Sequence, residues 1–391
     1  MYSTSYNTPE QTFWNKNFVL LILSNVLLYI SVYMLFPVLQ AWIVGKWGYS
    51  PVRVSFVSSL FCISLFLPGA VNNYLVDAFK RKNVCTRSIL LFALLGLLYP
   101  YADQMWMIYT LRVLQGALFA IALMVTGSTL VIDVTPSSFR SKANWVFAFS
   151  GGIGMLLGVS GGLYFSSILS INYIMYMSAA FAAVALLLVS MIEICFRAPL
   201  EPPLLSFDRF ILFRNIPPGI NMMTVPFVLG TILAYKHDYF FYLCIALGFI
   251  IFWFIPRAIK KKADDVVRIV TGYIFMTISL YIISVYQHHL TLCVAGIIMG
   301  LGVASAMCQY LKIMIKLPKH CERGTGYHTY QLMWETGIMM GVVLGFHVCK
   351  YYESDSLTLA AGICMAGLLC YLLFTRGYFQ KRMDCKQQLN K

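Results

Sequence analysis

The chain has 391 residues, of which 60% are hydrophobic and 11% are charged, and its formal net charge is +14 at pH 7. A soluble domain carries about 25% charged residues, so this composition excludes an ordinary soluble enzyme or binding domain. The positive charge could indicate a nucleic-acid partner, but basic loops beside an anionic membrane leaflet account for it. We therefore predict no binding to nucleic acid.

Twelve apolar stretches follow one another along the chain. Most reach the ~20 residues that a helix needs to cross a ~30 Å hydrocarbon core. The sequence therefore predicts an all-α membrane protein with twelve transmembrane helices. In chain order, the predicted spans are 18–44, 54–76, 86–102, 104–132, 143–165, 171–195, 216–235, 238–256, 267–286, 290–314, 326–349 and 357–375.

The basic residues predict the orientation of these spans. Of the 29 Lys and Arg residues, 24 lie in alternate gaps or at the ends of the spans that border them. The other gaps hold Lys46, Arg53, Lys236 and Lys350, and Arg112 lies inside a span. Because cytoplasmic loops are enriched in Lys and Arg, this pattern places both termini in the cytoplasm. We expect a multi-pass protein of the cytoplasmic (inner) membrane.

The two halves of the chain repeat each other. Gly154, Gly158 and Gly162 recur 183 residues later as Gly337, Gly341 and Gly345; Pro136 recurs at Pro318, and the basic cluster 80–82 at 260–262. Six spans separate the members of each pair, so both members have the same membrane orientation and the repeat is parallel. We predict an N-terminal six-helix bundle over 1–195, a cytoplasmic linker over 196–215, and a C-terminal six-helix bundle with a basic tail over 216–391.

The loop between spans two and three reads NYLVDAFKRK from Asn73 to Lys82. It resembles the Major Facilitator loop signature G-x-x-x-D-R-x-G-R-K/R, with Asp77, Arg81 and Lys82 matching and three other positions departing. In that family an Asp at the end of span four, here Asp133, joins a charge cluster that latches the outward-facing state. The resemblance implies a conformational latch, and the alternative is a simple topological anchor.

Span four contains Arg112, Gln115 and Gly116, which match the R-x-x-Q-G signature of the same superfamily. A charge inside a span costs at least about 2.5–3.5 kcal/mol, so Arg112 must face a bundle interior or water. The second half has Gly296 at the equivalent position, so the repeat itself does not require the arginine. The resemblance implies a role for Arg112 and Gln115 in proton coupling; alternatively, Arg112 only ties span four to polar neighbours.

Span five contains Gly151, Gly152, Gly154, Gly158, Gly161 and Gly162. It resembles the glycine-rich signature of drug and metabolite antiporters, without the proline and with a spacing one residue short. Close helix packing alone also explains such glycines. The span therefore favours export over uptake only slightly.

Span eleven places His328, Gln331 and Glu335 at i, i+3 and i+7, on one helical face. Desolvation favours the neutral form of a carboxyl group, so Glu335 is the predicted proton carrier, with Arg112 as its electrostatic partner. A structural hydrogen bond from Glu335 to Gln331 or to another helix is the alternative.

Span one carries Asn25, Tyr29 and Tyr33 at i, i+4 and i+8, and span seven adds Asn221. Such a stripe commonly serves packing, but tyrosines beside an amide at midplane depth suit an amphipathic ligand. The predicted substrate-binding residues are Asn25, Tyr29, Tyr33, Asn221, Gln331 and His328.

The chain resembles the short-loop bacterial permeases of the Major Facilitator Superfamily, of the sugar or drug efflux type. Since no P-loop or catalytic constellation is present, we expect no enzyme, no cofactor and no metal. The first hypothesis is a monomeric transporter that exports a small amphipathic compound or sugar by proton antiport, with the proton and the lipid bilayer as its other partners. The alternative is proton symport of a sugar or organic ion, and a membrane-embedded enzyme or non-transporting receptor is a distant third.

Overall fold

The computed structural model describes residues 12–194, 201–258, 265–286, 288–319, 322–352 and 356–388. In these ranges the chain forms twelve helical segments, numbered here in chain order. They are α1 Lys16–Trp47, α2 Pro51–Ala78, α3 Arg81–Tyr101, α4 Met105–Asp133, α5 Ser137–Ser166, α6 Ile171–Ser190, α7 Phe213–Met222 continued by Thr224–Tyr235, α8 Tyr239–Ala258, α9 Asp265–Val285, α10 His289–Lys316, α11 Arg323–Tyr352 and α12 Ser356–Cys385.

Most of these segments have the length and composition of membrane spans. Among the described residues nine qualify, and the two arms of α7, which meet at 42°, make a tenth if they form one span. The apolar helix within α8, Tyr239–Ile255, is shorter, and α11 carries polar side chains such as His328 and Glu335. The chain is therefore a helical multi-pass membrane protein, and twelve crossings with cytoplasmic termini stay a prediction.

The glycines of α5 bring its backbone against α1. A Cβ atom at Gly154 would lie 2.6 Å from the carbonyl oxygen of Val26, and one at Gly158 would lie 2.8 Å from that of Ile30. Gly162 meets the next turn of α1 in the same way. The glycine ladder therefore determines how closely these two helices pack.

The second ladder makes the same contact in the second half of the chain. A Cβ atom at Gly337 of α11 would lie 2.6 Å from the carbonyl oxygen of Met223 in α7, and Gly341 faces the carbonyl oxygen of Phe227. Because α5 packs on α1 as α11 packs on α7, the repeated glycines correspond to a repeated helix contact. We call α1–α6 the N half and α7–α12 the C half.

The starts of α1 and α7 lie at one end of the molecule, which we call the linker end. There Asn15 Nδ2 donates to the carbonyl oxygen of Val134 at 2.8 Å, and Asn215 Nδ2 donates to that of Met314 at 2.7 Å. The linker itself is described from residue 201 onward. Positions 196–200 and the predicted basic cluster 260–262 lie outside the described residues, so the predicted bundle boundaries stay predictions.

Helix α4 contains a π-helical stretch, Met124–Leu130, at its linker-end half. The hydroxyls of Thr126 and Thr129 donate to carbonyl oxygens four residues earlier, at 2.7 and 2.5 Å. Such back-bonding and a wider turn both change the direction in which side chains leave a helix. Ser128 and Thr129 consequently line a cavity between the halves.

Candidate functional site

Glu335 of α11 is buried at the interface between the halves, with 1% of its surface exposed. Its Oε2 accepts a hydrogen bond of 2.5 Å from the hydroxyl of Tyr33 in α1. Tyr29 stacks on Tyr33 and lies near the same carboxyl group, but Oε1 of Glu335 accepts no hydrogen bond of ordinary geometry from any described residue. The carboxyl group of the C half is thus held by one hydroxyl of the N half.

A small aromatic chamber lies beside this pair, between α1 and α5 of the N half and α10 and α11 of the C half. Its volume is about 20 Å³, enough for about one water molecule. Aromatic rings and a few amides surround a narrow space, an arrangement suited to an amphipathic group. Its lining includes Asn25, Tyr29, Phe147, Gly151, Met307, Tyr327, Tyr330, Gln331 and Trp334.

Two further polar side chains of α11 are buried with unsatisfied atoms. Among the described residues, no hydrogen-bond partner is found for the two ring nitrogens of His328 or for the Oε1 atom of Gln331. The His328 ring lies 6.5 Å from the ring of Phe210 in the linker, and Gln331 lines the aromatic chamber. Buried polar atoms are normally paired, so a face of α11 with three such residues is a functional candidate.

Arg112 and Gln115 lie in the interior of the N half. The guanidinium of Arg112 sits over the rings of Tyr99 and Phe61, at 5.4 and 5.7 Å, and Gln115 Oε1 accepts from the Tyr99 hydroxyl at 2.7 Å. Among the described ion pairs none joins Arg112 to Glu335. This structure does not bring the two predicted coupling residues together, and their interaction stays a prediction for another arrangement of the halves.

The two asparagines predicted to bind substrate have different surroundings. Asn25 lines the aromatic chamber while its amide nitrogen donates to the carbonyl oxygen of Phe147 at 3.0 Å. Asn221 lies inside the C half, where its amide can donate to Gly367 O at 2.9 Å and accept from Tyr371 N at 3.1 Å. Asn221 is not among the described residues that line the chamber, and its contact with substrate stays a prediction.

The predicted latch residues meet at the linker end of the N half. Arg81 bridges Asp133 at 2.8 Å and Asp77 at 3.9 Å, so the ends of α2, α3 and α4 are joined. Lys82 points elsewhere and donates to the carbonyl oxygen of Ile192 at 2.8 Å. The charge cluster therefore contains three of the four residues proposed for it.

The linker adds a fourth charged residue to this cluster. Arg209 pairs with Asp77 at 3.0 Å and donates to Asn73 Oδ1 at 3.0 Å. Three residues later, the amide of Leu212 donates to the Thr329 hydroxyl of α11 at 3.0 Å. The linker is thus bound to both halves.

A second cavity, of about 910 Å³, lies between the halves at the linker end. Its charged lining consists of four arginines and four carboxylates, Arg81, Arg140, Arg209, Arg323, Asp77, Asp133, Asp208 and Glu322. The two halves and the linker all contribute to it. Its volume is large enough for a small-molecule substrate, whereas the aromatic chamber has room for about one water molecule.

Several residues of these sites were not predicted from the sequence. Arg209, Arg140 and Arg323 were interpreted only as topological charges. The chamber residues Tyr327, Tyr330 and Trp334 follow the same i, i+3, i+7 spacing as the predicted polar face of α11, one residue earlier. That aromatic stripe was a usable signal, whereas nothing local distinguishes the three arginines.

Comparisons with known proteins agree with this architecture. The family model of the Major Facilitator Superfamily matches residues 21–259, which is more than half of the chain. The chain is also similar to the "Uncharacterized MFS-type transporter YddS" of Bacillus subtilis (strain 168), with 28% identity over 156 residues. That similarity covers 39% of this chain and 35% of the relative's length. Membership of this superfamily points to a transporter rather than an enzyme. On the strength of the family match, the chain belongs to the Major Facilitator Superfamily.

Proposed function

We propose that this protein is a secondary transporter that exports a small amphipathic compound by proton antiport across the cytoplasmic membrane. In this proposal it crosses the membrane twelve times, both termini are cytoplasmic, and the two halves rock around the sites between them. Support comes from the family match, the repeated helix contacts and the charged cavity at the interface. The linker end is then the cytoplasmic end.

The hydrogen bond between Tyr33 and Glu335 carries the proposal. A hydrogen bond to a charged carboxylate is roughly twice as strong as one between neutral groups. Deprotonated Glu335 therefore holds the N half through Tyr33, and a proton on Glu335 weakens that hold. Protonation at one membrane face and release at the other would change which arrangement of the halves is favoured.

The charge cluster at the linker end provides the second half of this cycle. Arg81, Asp133, Asp77 and Arg209 stabilise the arrangement in which the ends of α2–α4 and the linker are joined. These side chains are partly exposed, so the cluster contributes on the order of a few kcal/mol or less. A contribution of this size shifts a conformational equilibrium without preventing the opposite state.

The experiment is a panel of radiolabelled amphipathic compounds tested on proteoliposomes with an imposed pH gradient. An acidic lumen should drive accumulation of the substrate, because protons leave as it enters. Accumulation driven by an alkaline lumen would identify symport instead. Glu335→Gln should abolish accumulation driven by the gradient and preserve exchange between labelled and unlabelled substrate.

Glu193→Gln is the matched control, because Glu193 is exposed at the end of α6. It should transport at the wild-type rate. Tyr33→Phe removes the hydroxyl and keeps the ring. It should reduce accumulation driven by the pH gradient more than it reduces exchange between labelled and unlabelled substrate. Accumulation at the wild-type rate by Glu335→Gln would remove Glu335 from the proton pathway and leave it a structural role.

A further inference from the structure

We propose that the cavity at the linker end binds an anionic group of the transported molecule between Arg140 and Arg323. This inference rests on the proposed function only because it takes the bound molecule to be the transported molecule, or cargo. It specifies the chemical class of that cargo, an organic anion with an apolar body, and a binding site near the linker end.

Arg140 and Arg323 differ from the other arginines of the cavity in lacking a carboxylate. Arg81 is paired with Asp133 and Arg209 with Asp77, but no described carboxylate lies within ion-pair distance of Arg140 or Arg323. The Nε atom of each is buried and has no acceptor among the described residues. A buried N–H donor without an acceptor is unfavourable, and a guanidinium binds carboxylates and phosphates with two parallel hydrogen bonds.

The two arginines are equivalent positions of the repeat. They are 183 residues apart, the spacing of the glycine ladders, and each is the first residue of an α-helical segment, Arg140–Ser166 and Arg323–Tyr352. One belongs to the N half and the other to the C half, and both line the same cavity. An anion between them would contact both halves, so its affinity would depend on their arrangement.

Asn144 marks a buried part of the cavity wall one helical turn after Arg140. Its side chain is only 3% exposed, it lines the cavity, and its Oδ1 atom has no hydrogen-bond partner among the described residues. This unpaired oxygen is an acceptor, so it can accept a hydrogen bond from a hydroxyl or N–H group of a bound molecule. This buried and unpartnered side chain is independent support for a ligand site.

Most carboxylates of the cavity are already paired, so the site between Arg140 and Arg323 keeps a net positive charge. Asp77 and Asp133 are occupied by their arginine partners, and Glu322 pairs with Arg214 at 3.3 Å. Asp208 is exposed. The two unpaired guanidiniums therefore outnumber the one exposed carboxylate, so the cavity favours binding of an anion over binding of a cation.

Successive turns of α5 and α11 connect this site to the aromatic chamber. On α5, Asn144 lines the cavity, and Phe147 and Gly151 line the chamber. On α11, Arg323 lines the cavity and Tyr327 lines the chamber. Asn144 and Gly151 are seven helical residues, or about 10 Å, apart, so a molecule with its anionic end in the cavity would direct an apolar body toward the chamber. The chamber has room for about one water molecule here, so the halves would have to move apart before the body could enter it.

The experiment compares benzoate with benzamide by isothermal titration calorimetry on the full chain in phosphatidylcholine nanodiscs. The two probes share a ring and differ in charge. Benzoate should bind roughly tenfold more tightly or better, because hydrogen bonds to charged groups contribute about 1.5–3 kcal/mol. Arg140→Gln and Arg323→Gln should each weaken benzoate about tenfold and leave benzamide unchanged. Equal binding of the two probes, or benzoate binding insensitive to both variants, would overturn the proposal.

Two controls keep the result interpretable. Arg53→Gln changes an exposed arginine of α2, at the end opposite the linker, and should bind benzoate like the wild type. Arg140→Lys keeps the charge and should bind benzoate more tightly than Arg140→Gln does, which separates a charge effect from misfolding. Loss of benzoate binding in phosphatidylglycerol nanodiscs would assign the arginines to a lipid headgroup and overturn the cargo inference. Since binding needs no pH gradient, its failure is distinct from a failure of proton coupling at Glu335.

Discussion

The N half and the C half have the same helix contacts, but the ion pair between their third and fourth helices has its positive and negative members exchanged. In the N half a cation, Arg81 at the start of α3, pairs with Asp133 at the end of α4. In the C half a carboxylate, Asp265 at the start of α9, pairs with Lys312 of α10 at 2.5 Å. The ion pair between the third and fourth helices of each half thus has reversed polarity in the C half. Close backbone approach is common to both halves, whereas the charges can be exchanged as long as each keeps a partner.

The two pairs also differ in burial and in what they bind. The side chains of Arg81 and Asp133 are 20% and 10% exposed, while those of Lys312 and Asp265 are 38% and 44% exposed. Among the described residues, the N-half cluster extends to the linker through Asp77 and Arg209. Ion pairs weaken as water surrounds them. We infer that the N-half cluster affects conformation more than its counterpart in the C half.

The largest effect should come from breaking the contact that the halves share. Gly162→Ala and Gly341→Ala each place a methyl group against a carbonyl oxygen of the neighbouring helix. Overpacking of this kind costs about 1–3 kcal/mol or more, which exceeds the gain in helix propensity. Both variants should lower the thermal unfolding temperature in detergent by similar amounts.

Gly161→Ala is the control for this pair, because Gly161 neighbours Gly162 and a methyl group there meets only ordinary contacts. It should unfold at or above the wild-type temperature. A ladder variant in one half that is as stable as Gly161→Ala would show that the two ladders are not equivalent.

An intermediate effect should distinguish the two charge clusters. Asp77→Asn removes the partner of Arg209, so the linker should detach more often from α2. Loss of roughly 1 kcal/mol would speed deuterium exchange about fivefold at the amides of Ser206 and Leu212, which are hydrogen-bonded to Ala70 and Thr329. Asp265→Asn should change exchange in the linker by less than about twofold. Equal changes in both variants would contradict the difference between the halves.

The smallest effect concerns the asparagines at the starts of α1 and α7. Asn15 accepts from the amide of Phe18 at 2.9 Å and donates to Val134, whereas Asn215 makes the single bond to Met314. Asn15→Ala should therefore cost about 1 kcal/mol, and Asn215→Ala less, measured by thermal unfolding. The exposed Asn83 is the control, and Asn83→Ala should be close to neutral. A larger loss for Asn215→Ala would reverse the expected order.

The helical architecture was predictable because the signals were local and repeated. Runs of apolar residues, the alternation of Lys and Arg, and glycines at a constant offset each determine how a segment relates to the membrane or to an equivalent segment. The spacing of His328, Gln331 and Glu335 likewise requires a common helical face. The motifs around Asp77 and Arg112 gave the resemblance to the Major Facilitator Superfamily, which the family match confirmed.

The partners of individual side chains were not predictable in this way. Spacing within a helix gives a face, but the helix opposite that face depends on tertiary packing. The sequence does not show that Asn221 lies against α12 or that Arg112 lies over Tyr99 and Phe61, and the substrate role of Asn221 stays a prediction. Arg209 was counted as a linker charge because its partner Asp77 is 132 residues earlier.

In the proposed cycle, the linker would also limit how wide the molecule opens at the linker end. Arg209 is held on α2 by Asp77, and Asn215 is held on α10 through Met314. Six residues of extended chain reach only about 20 Å. While both attachments persist, that length is the largest separation available to the Cα atoms of Arg209 and Asn215. In the proposed transport cycle, an opening of similar width would admit a metabolite and exclude a folded protein, so the linker would limit the size of what enters from that side.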